Sequence, residues 1–95
     1  MSAYVIARVN VTDPDQYEKY KALAPATIAK YKGEYVVRGG EVAHLEGEAE
    51  TRRVVVLRFE SLEAAKTWYN SPEYQAAKDV RTGAADGQFL AVEGL

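Results

Sequence analysis

Residues Arg53 to Phe59 read RVVVLRF, and this run decides the fold. β-Branched residues crowd together in it and neither side is consistently polar, which is typical of a strand at the centre of a sheet. Side chains alternate along a strand, so both faces of this one carry apolar residues. The faces are Val55, Leu57 and Phe59 on one side, and Val54, Val56 and Arg58 on the other. Helices can cover one face, and a second copy of the sheet commonly covers the other.

Composition limits the class of protein. The 95 residues predict a single domain over residues 1–95 with one hydrophobic core. Twelve Lys and Arg against fourteen Asp and Glu give a net charge of −2 with no basic cluster, so nucleic acid is not expected as a partner. No apolar run approaches the roughly 20 residues that span a bilayer. Since the N-terminus also reads directly into a strand, we expect a soluble cytoplasmic protein. With no cysteine and one histidine, we expect no metal and no cofactor.

The N-terminal part predicts a strand followed by a helix. Ala3 to Val11 alternates as a two-sided strand that should lie beside the central one. Asp13 and the following proline suit the cap and the first position of a helix, and Gln16 stands where a capping box has its partner. Pro25 removes an amide donor and crowds the preceding turn, so we expect the helix to bend or break there before it stops at Gly33.

The middle of the chain predicts a long hairpin. Glu34 to Glu46 reads as an extended strand that is interrupted by a bulge or bend at Gly39 and Gly40. A short polar turn would then pair it with Thr51 to Glu60.

The C-terminal part predicts two short helices and a last strand. Ser61 caps the first helix, and Ser71 with the following proline caps the second, which continues to Thr82. Gln88 to Glu93 supplies the last strand. The order strand, helix, strand, strand, helix, strand predicts an α+β, ferredoxin-like fold with a four-stranded antiparallel sheet.

One face of this sheet should lack a cover within the chain. Right-handed crossovers place both helical segments on the same face. The other face carries Tyr4, Ile6, Val54 and Val56, and burying it against a second copy would stabilise a homodimer.

Several short runs occur together in a fairly specific order and spacing. They are Tyr17 and Tyr20, Arg38-Gly39-Gly40, Leu45-Glu46-Gly47, Arg53, Phe59-Glu60-Ser61, Ser71-Pro72-Glu73-Tyr74, Arg81 and Glu93-Gly94. In these runs the chain resembles the family called domain of unknown function 1330, within the dimeric alpha-beta barrel superfamily. The resemblance implies a ferredoxin-like fold whose sheets meet back to back in a homodimer, and it implies no established reaction. The wider superfamily includes cofactor-independent monooxygenases, lactone isomerases and haem-dependent enzymes, so it leaves the activity open.

Helical tyrosines are the first candidates for a ligand site. Tyr17, Tyr20, Tyr69 and Tyr74 would line a pocket between helices and sheet, with hydroxyls that orient a small organic ligand. The alternative is core packing, which is the usual role of aromatic residues at helical spacing. A closed cavity bounded by two of these hydroxyls would favour binding.

His44 is the candidate catalytic residue. It is the single histidine, and histidine is the residue type that exchanges protons most readily near neutral pH. The predicted hairpin places it opposite Arg53. The alternative is an exposed strand residue without a catalytic role.

Arginines are candidates for binding an anion. We expect the first and third strands to be parallel neighbours, which would bring Arg8 and Arg58 to one face, with Arg38 nearby on the hairpin. Such a group would hold a carboxylate or phosphate. The alternative is salt bridging across the dimer, to Glu34, Glu60 or Glu93. Arg81 would either reach over the pocket mouth or offset the dipole of its helix.

The residues predict a homodimeric protein that binds a small molecule. One form of this prediction is a cofactor-independent enzyme that acts on a small organic acid or aromatic compound. The predicted ligand residues are Tyr20, Arg38, Tyr69 and Arg81, with His44 as the catalytic candidate. The competing prediction is a non-catalytic dimerisation or stress-associated module with no ligand.

Overall fold

A four-stranded antiparallel sheet with helices on one face carries the fold. The computed structural model describes residues 2–95; Met1, the first residue of the predicted domain, lies outside them. The elements are β1 (Ala3–Val11), α1 (Pro14–Lys30), β2 (Glu34–Arg38), β3 (Arg53–Phe59), α2 (Leu62–Tyr69), α3 (Pro72–Arg81) and β4 (Ala85–Glu93). The strand order is β2-β3-β1-β4, which confirms the predicted α+β, ferredoxin-like fold.

β3 and β1 are the two central strands, and they run antiparallel. Ile6 lies opposite Val56 of β3 on one side and Leu90 of β4 on the other. The expectation that the first and third strands are parallel was wrong. The crossover through α1 makes β1 parallel to β2, and the reversal between β2 and β3 then makes β3 antiparallel to both.

The two faces of the sheet have different surroundings. The inner face is buried under the helices and contains Val5, Ala7, Val9, Leu57 and Phe59. The outer face, defined by Tyr4, Ile6, Val54 and Val56, is only half-buried. The alternation of side chains therefore follows the predicted parity, with one covered and one open face.

Local capping signals begin all three helices at the predicted places. The side chain of Asp13 accepts from the backbone N–H of Gln16 (3.2 Å), and Ser61 and Ser71 accept in the same way at the starts of α2 and α3. Gln16 does not close a capping box. Its amide donates instead to the Val80 carbonyl (3.1 Å), which ties α1 to α3.

Helix α1 continues through Pro25 to Lys30, so the predicted break does not occur. The turns after the proline are held by packing, because Thr27 and Ile28 are buried and the Trp68 indole donates to the Thr27 hydroxyl (3.1 Å). The helix ends before Gly33, where a Cβ would come within 2.5 Å of the Phe59 ring.

The predicted long hairpin is wrong beyond Arg38. Residues 39–52 contain no strand, and Val42 and Leu45 are exposed, so the apolar alternation of this segment does not form a buried face. The bulge lies at Val36 rather than at the glycines, since Tyr35 is opposite Leu57 and Val37 is opposite Val56. The last strand also begins three residues before the predicted Gln88, at Ala85.

Candidate functional site

A cavity lies between α1 and the inner face of the sheet, and we call it the helix–sheet cavity. Its walls combine apolar side chains with aromatic rings and cations, and its volume is about 30 Å³. That volume holds about one water molecule. The aromatic and cationic lining residues are Tyr17, Tyr20, Lys21, Tyr35, Arg38, Arg53, Trp68 and Phe89.

Tyr20 and Tyr74 form a buried hydroxyl pair behind this cavity. Their oxygens lie 2.9 Å apart, and either hydroxyl can be the donor. Burial raises the pKa of both phenols, although the contact with Tyr20 and the Arg81 charge oppose the rise at Tyr74. Both hydroxyls are therefore neutral at neutral pH and satisfy each other, which suits a structural role as well as one in orienting a ligand.

Arg81 is a buried cation at the end of α3. It is 8% exposed, and its guanidinium carbon lies 4.6 Å from the Phe89 ring centroid and 5.6 Å from that of Tyr20. Its Nε has no hydrogen-bond partner within residues 2–95. Aromatic faces attract a cation, so these two rings compensate part of its charge. Arg81 thus lies behind two walls of the helix–sheet cavity rather than over its mouth.

Arg38 and Arg53 line the cavity from the inner face, and we call their end of it the mouth because Arg38 is exposed. The bulge at Val36 reverses the parity of β2, so that Arg38 pairs with Val55 and its guanidinium lies 4.5 Å from the Tyr35 ring centroid. Arg53 packs over Gly39, where a Cβ would meet its Nη1 at 2.3 Å. Gly39 also has a φ of 70°, a conformation that glycine adopts without strain.

Arg8 and Arg58 do not join Arg38. Arg8 lies opposite Val54 and Arg58 lies opposite Tyr4, at the two ends of the outer face. Each is paired within the chain, since Arg8 contacts Glu50 (3.3 Å) and Arg58 contacts Glu34 (3.5 Å). The antiparallel pairing of β1 and β3 separates these two arginines, so the predicted trio is not formed.

Tyr69 belongs to a second cavity, the edge cleft between α2 and the edge strand β4. This cleft has a volume of about 260 Å³ and is lined mainly by apolar side chains, with Lys66 and Asn70 on one side. Trp68 and Phe89 line both cavities and form the wall between them. Tyr69 is therefore separated from Tyr20 and Arg38.

His44 lies in the exposed irregular segment between β2 and β3. It is not opposite Arg53, which pairs with Val9 of β1. None of the cavities found within residues 2–95 has His44 in its wall. The structure thus brings Tyr20 and Arg38 together with Arg81 close behind, and it leaves Tyr69 and His44 apart from them.

Comparison with known proteins identifies the family of this chain. The family model described as domain of unknown function (DUF1330) matches residues 2–95. The chain belongs to this family. No curated protein matches it in sequence.

Solved structures share the fold of this DUF1330 domain at low sequence identity. A protein of unknown function from Rhodopseudomonas palustris is 19% identical with a TM-score of 0.74, over 99% of this chain and 82% of that chain. SnoaB, a cofactor-independent oxygenase from Streptomyces nogalater, is 14% identical with a TM-score of 0.70, over 99% and 93%. A dimeric protein of unknown function with a ferredoxin-like fold from Bacteroides fragilis is 18% identical with a TM-score of 0.66, over 98% and 96%. At these identities the likeness shows the fold.

Among the residues that the structure describes, no three His, Asp or Glu side chains gather in a way that could hold a metal ion. In the same part of the chain, every helix is too short or too polar to cross a membrane.

Sequence reasoning missed five of the eight aromatic and cationic residues that line the helix–sheet cavity of the DUF1330 domain: Lys21, Tyr35, Arg53, Trp68 and Phe89. A signal for Arg53 was available, because it shares strand parity with Val55 and Leu57 and so faces inward. Phe89 could not be assigned, since the register of β4 against β1 was unknown. The inward direction of Tyr35 was hidden by the bulge, because Tyr35 lies opposite Leu57 whereas Val37, two residues later, faces outward.

Proposed function

We propose that this DUF1330 protein is a cytoplasmic homodimer that binds a small organic acid or aromatic compound in the helix–sheet cavity. The observation that supports this most directly is the cavity wall, where the rings of Tyr20, Tyr35 and Phe89 converge with polar side chains at one opening. Small-molecule sites combine such apolar and aromatic walls with a few polar groups that orient the ligand. The lack of cysteine is compatible with the cytoplasmic location, where disulfides are rare.

The outer face of the sheet supports the homodimer. Tyr4, Ile6 and Val56 are half-buried there, and Leu90 and Val92 on β4 remain 37% and 46% exposed. At roughly 25 cal/mol per Å², burying about 400 Å² of this face would contribute on the order of 10 kcal/mol before the costs of association are subtracted. The Bacteroides fragilis protein with the same fold is described as dimeric.

A ligand larger than water has to displace side chains at the mouth. Arg38 is exposed and Tyr35 is half-buried, and both lie on the short edge strand β2. Exposed side chains change rotamer within nanoseconds, so Arg38 can move aside, and a ring that reaches the buried Tyr20 also requires Tyr35 to shift.

Trp68 provides a direct test, because it is the single tryptophan, it is buried and it lines the cavity. Titration with benzoate, 4-hydroxybenzoate, benzamide and phenol should change its fluorescence with saturation for at least one compound. Val55→Phe fills the cavity from the sheet side and should abolish the change. Val36→Phe is the matched control, since Val36 is exposed and outside the cavity wall. No saturable change with any of these compounds would contradict the proposal.

The proposal extends to catalysis, in which the protein converts the bound compound without a cofactor. Its support is the fold shared with SnoaB, which is described as a cofactor-independent oxygenase. Incubation of the protein in air with each compound that binds, followed by mass spectrometry of the products, tests it. Product formation that is lost in Val55→Phe would support catalysis at this site, and an unchanged compound would contradict it.

The competing function is a dimerisation module, including one associated with stress, that has no ligand. The small volume of the helix–sheet cavity favours it, since about 30 Å³ leaves the helix–sheet space largely filled by side chains. A dimer that binds none of the four compounds would support this function instead.

A further inference from the structure

The six arginines divide into two sets according to where they point. Within residues 2–95, three arginines at the outer face and the sheet end contact carboxylates, and three at or behind the helix–sheet cavity have no acidic partner within 4.0 Å. The paired set is Arg8 and Arg52 with Glu50, and Arg58 with Glu34. The unpaired set is Arg38, Arg53 and Arg81.

This division is unusual for a chain with an excess of acidic residues. The sequence has fourteen Asp and Glu against twelve Lys and Arg, yet none of the acidic residues that the structure describes lines the helix–sheet cavity. Lys21, the remaining cation of the wall, is bound by Glu18 (2.9 Å). Arg53 is half-buried and Arg81 is buried, and such cations are normally paired, because leaving one without a counter-charge destabilises the fold.

Two of the unpaired arginines can reach one ligand. Arg38 lies opposite Val55, and Arg53 precedes Val55 by two residues on the same face. Such diagonal neighbours on paired strands have Cβ atoms roughly 7 Å apart, within the span over which two guanidinium groups can share a carboxylate. The buried Nε of Arg53 has no hydrogen-bond partner in residues 2–95, so it has a donor that is not used within the chain.

We propose that the ligand of the helix–sheet cavity is an aromatic carboxylate, whose charged group binds Arg38 and Arg53 at the mouth. Its ring lies against the aromatic wall formed by Tyr20, Tyr35 and Phe89. Arg81, which is 8% exposed behind Tyr20 and Phe89, adds positive potential to that wall. This inference rests on the proposed function and names the chemical class of its ligand.

Matched acids and amides test the charge requirement. Benzoate and 4-hydroxybenzoate should bind at least about tenfold more tightly than benzamide and 4-hydroxybenzamide in Trp68 fluorescence titrations, and raising the salt concentration should reduce this preference. Inorganic phosphate, an anion without a ring, should compete at least about tenfold more weakly than benzoate. Equal binding of acid and amide, or of phosphate and benzoate, would overturn the assignment to an aromatic carboxylate while leaving the proposed function intact.

Substitutions then test the residues. Arg38→Gln and Arg53→Gln should each weaken benzoate binding by about tenfold and leave benzamide binding unchanged. Arg58→Gln is the matched control, because this arginine lies on the outer face and is already paired with Glu34. Circular dichroism and thermal melting verify that each variant is folded.

The outcomes separate the two proposals. Unchanged acid preference in both folded cavity variants would overturn the role of Arg38 and Arg53. Binding of neither acids nor amides would overturn the proposed function and this inference with it.

Discussion

The hydroxyl oxygens of Tyr20 and Tyr74 lie 2.9 Å apart in the core and join α1 to α3. Both side chains are buried, so each hydroxyl uses the other as a hydrogen-bond partner, and the Arg81 guanidinium also lies near the Tyr74 hydroxyl. The same contact holds the Tyr20 ring between the helix–sheet cavity and Arg81. The pair therefore connects the stability of the fold to the shape of the candidate site.

Removal of either hydroxyl should destabilise the protein, and removal of both should cost less than the sum of the two single losses. Tyr20→Phe and Tyr74→Phe each leave a buried hydroxyl without its tyrosine partner, so each should lower the free energy of unfolding by about 1–3 kcal/mol. The double variant should lose clearly less than the sum of the two. Urea unfolding of the four proteins gives this coupling energy. Strictly additive losses would show that the hydroxyls do not interact.

A charge on the outer face should dissociate the proposed homodimer. Ile6 lies at its centre, opposite Val56 and Leu90, so Ile6→Lys would bury an unpaired ammonium group in the interface. We expect the wild-type protein to sediment as a dimer at micromolar concentration and the variant as a folded monomer. Leu23→Lys, at an exposed position on α1, is the control and should remain dimeric. A dimeric Ile6→Lys variant would place the interface elsewhere.

The stability of the fold should fall in acid partly through Glu73. Hydrogen bonds from Lys30 and Tyr31 lower the pKa of its carboxyl from 4.5 to about 2. Because the carboxylate is favoured in the folded state, its contribution is complete above pH 4.5 and is lost as the pH falls toward 2. The group is partly exposed, so added salt should reduce the effect.

The difference in melting temperature between wild type and Glu73→Gln should therefore shrink as the pH is lowered across that window. Thermal melts from pH 7 to pH 2 measure it. Glu41→Gln, in the exposed segment after β2, should show no such trend. If the difference in melting temperature stayed constant with pH, Glu73 would not be a source of the loss of stability in acid.

Substitution of His44 should leave ligand binding intact. The side chain is exposed in the segment between β2 and β3 and is outside the walls of both cavities. His44→Ala should therefore bind benzoate as the wild type does, with the same pH profile of any turnover. A loss of turnover without a loss of binding would restore His44 as the general base.

Local signals predicted the elements well because they act over a few residues. Strand β1 has the predicted bounds Ala3–Val11, and the side chains of Asp13, Ser61 and Ser71 cap the helices as expected. Alternation in β3 correctly separated an inner from an outer face. The element order, which follows from these signals, was sufficient to predict the ferredoxin-like fold.

The candidate site was predicted less well. Tyr20 and Arg38 line one cavity as a shared site would require, whereas Tyr69 lines another. The prediction that Arg8, Arg38 and Arg58 lie together was wrong, because it depended on strand direction and register. The hairpin prediction was wrong because alternation of apolar residues such as Leu45 does not by itself provide a strand to pair with, and residues 39–52 contain no strand.

The sequence alone determined the order of strands and helices and the two-sided character of the sheet, because capping and alternation are encoded in neighbouring residues. Only the tertiary structure decided which arginines face the cavity. One bulged residue at Val36 turns Arg38 inward beside Arg53, and the antiparallel pairing of β1 with β3 sends Arg8 and Arg58 to opposite ends of the outer face. A shift of one residue in register reverses the side of every following side chain, and register is set by contacts between distant parts of the chain.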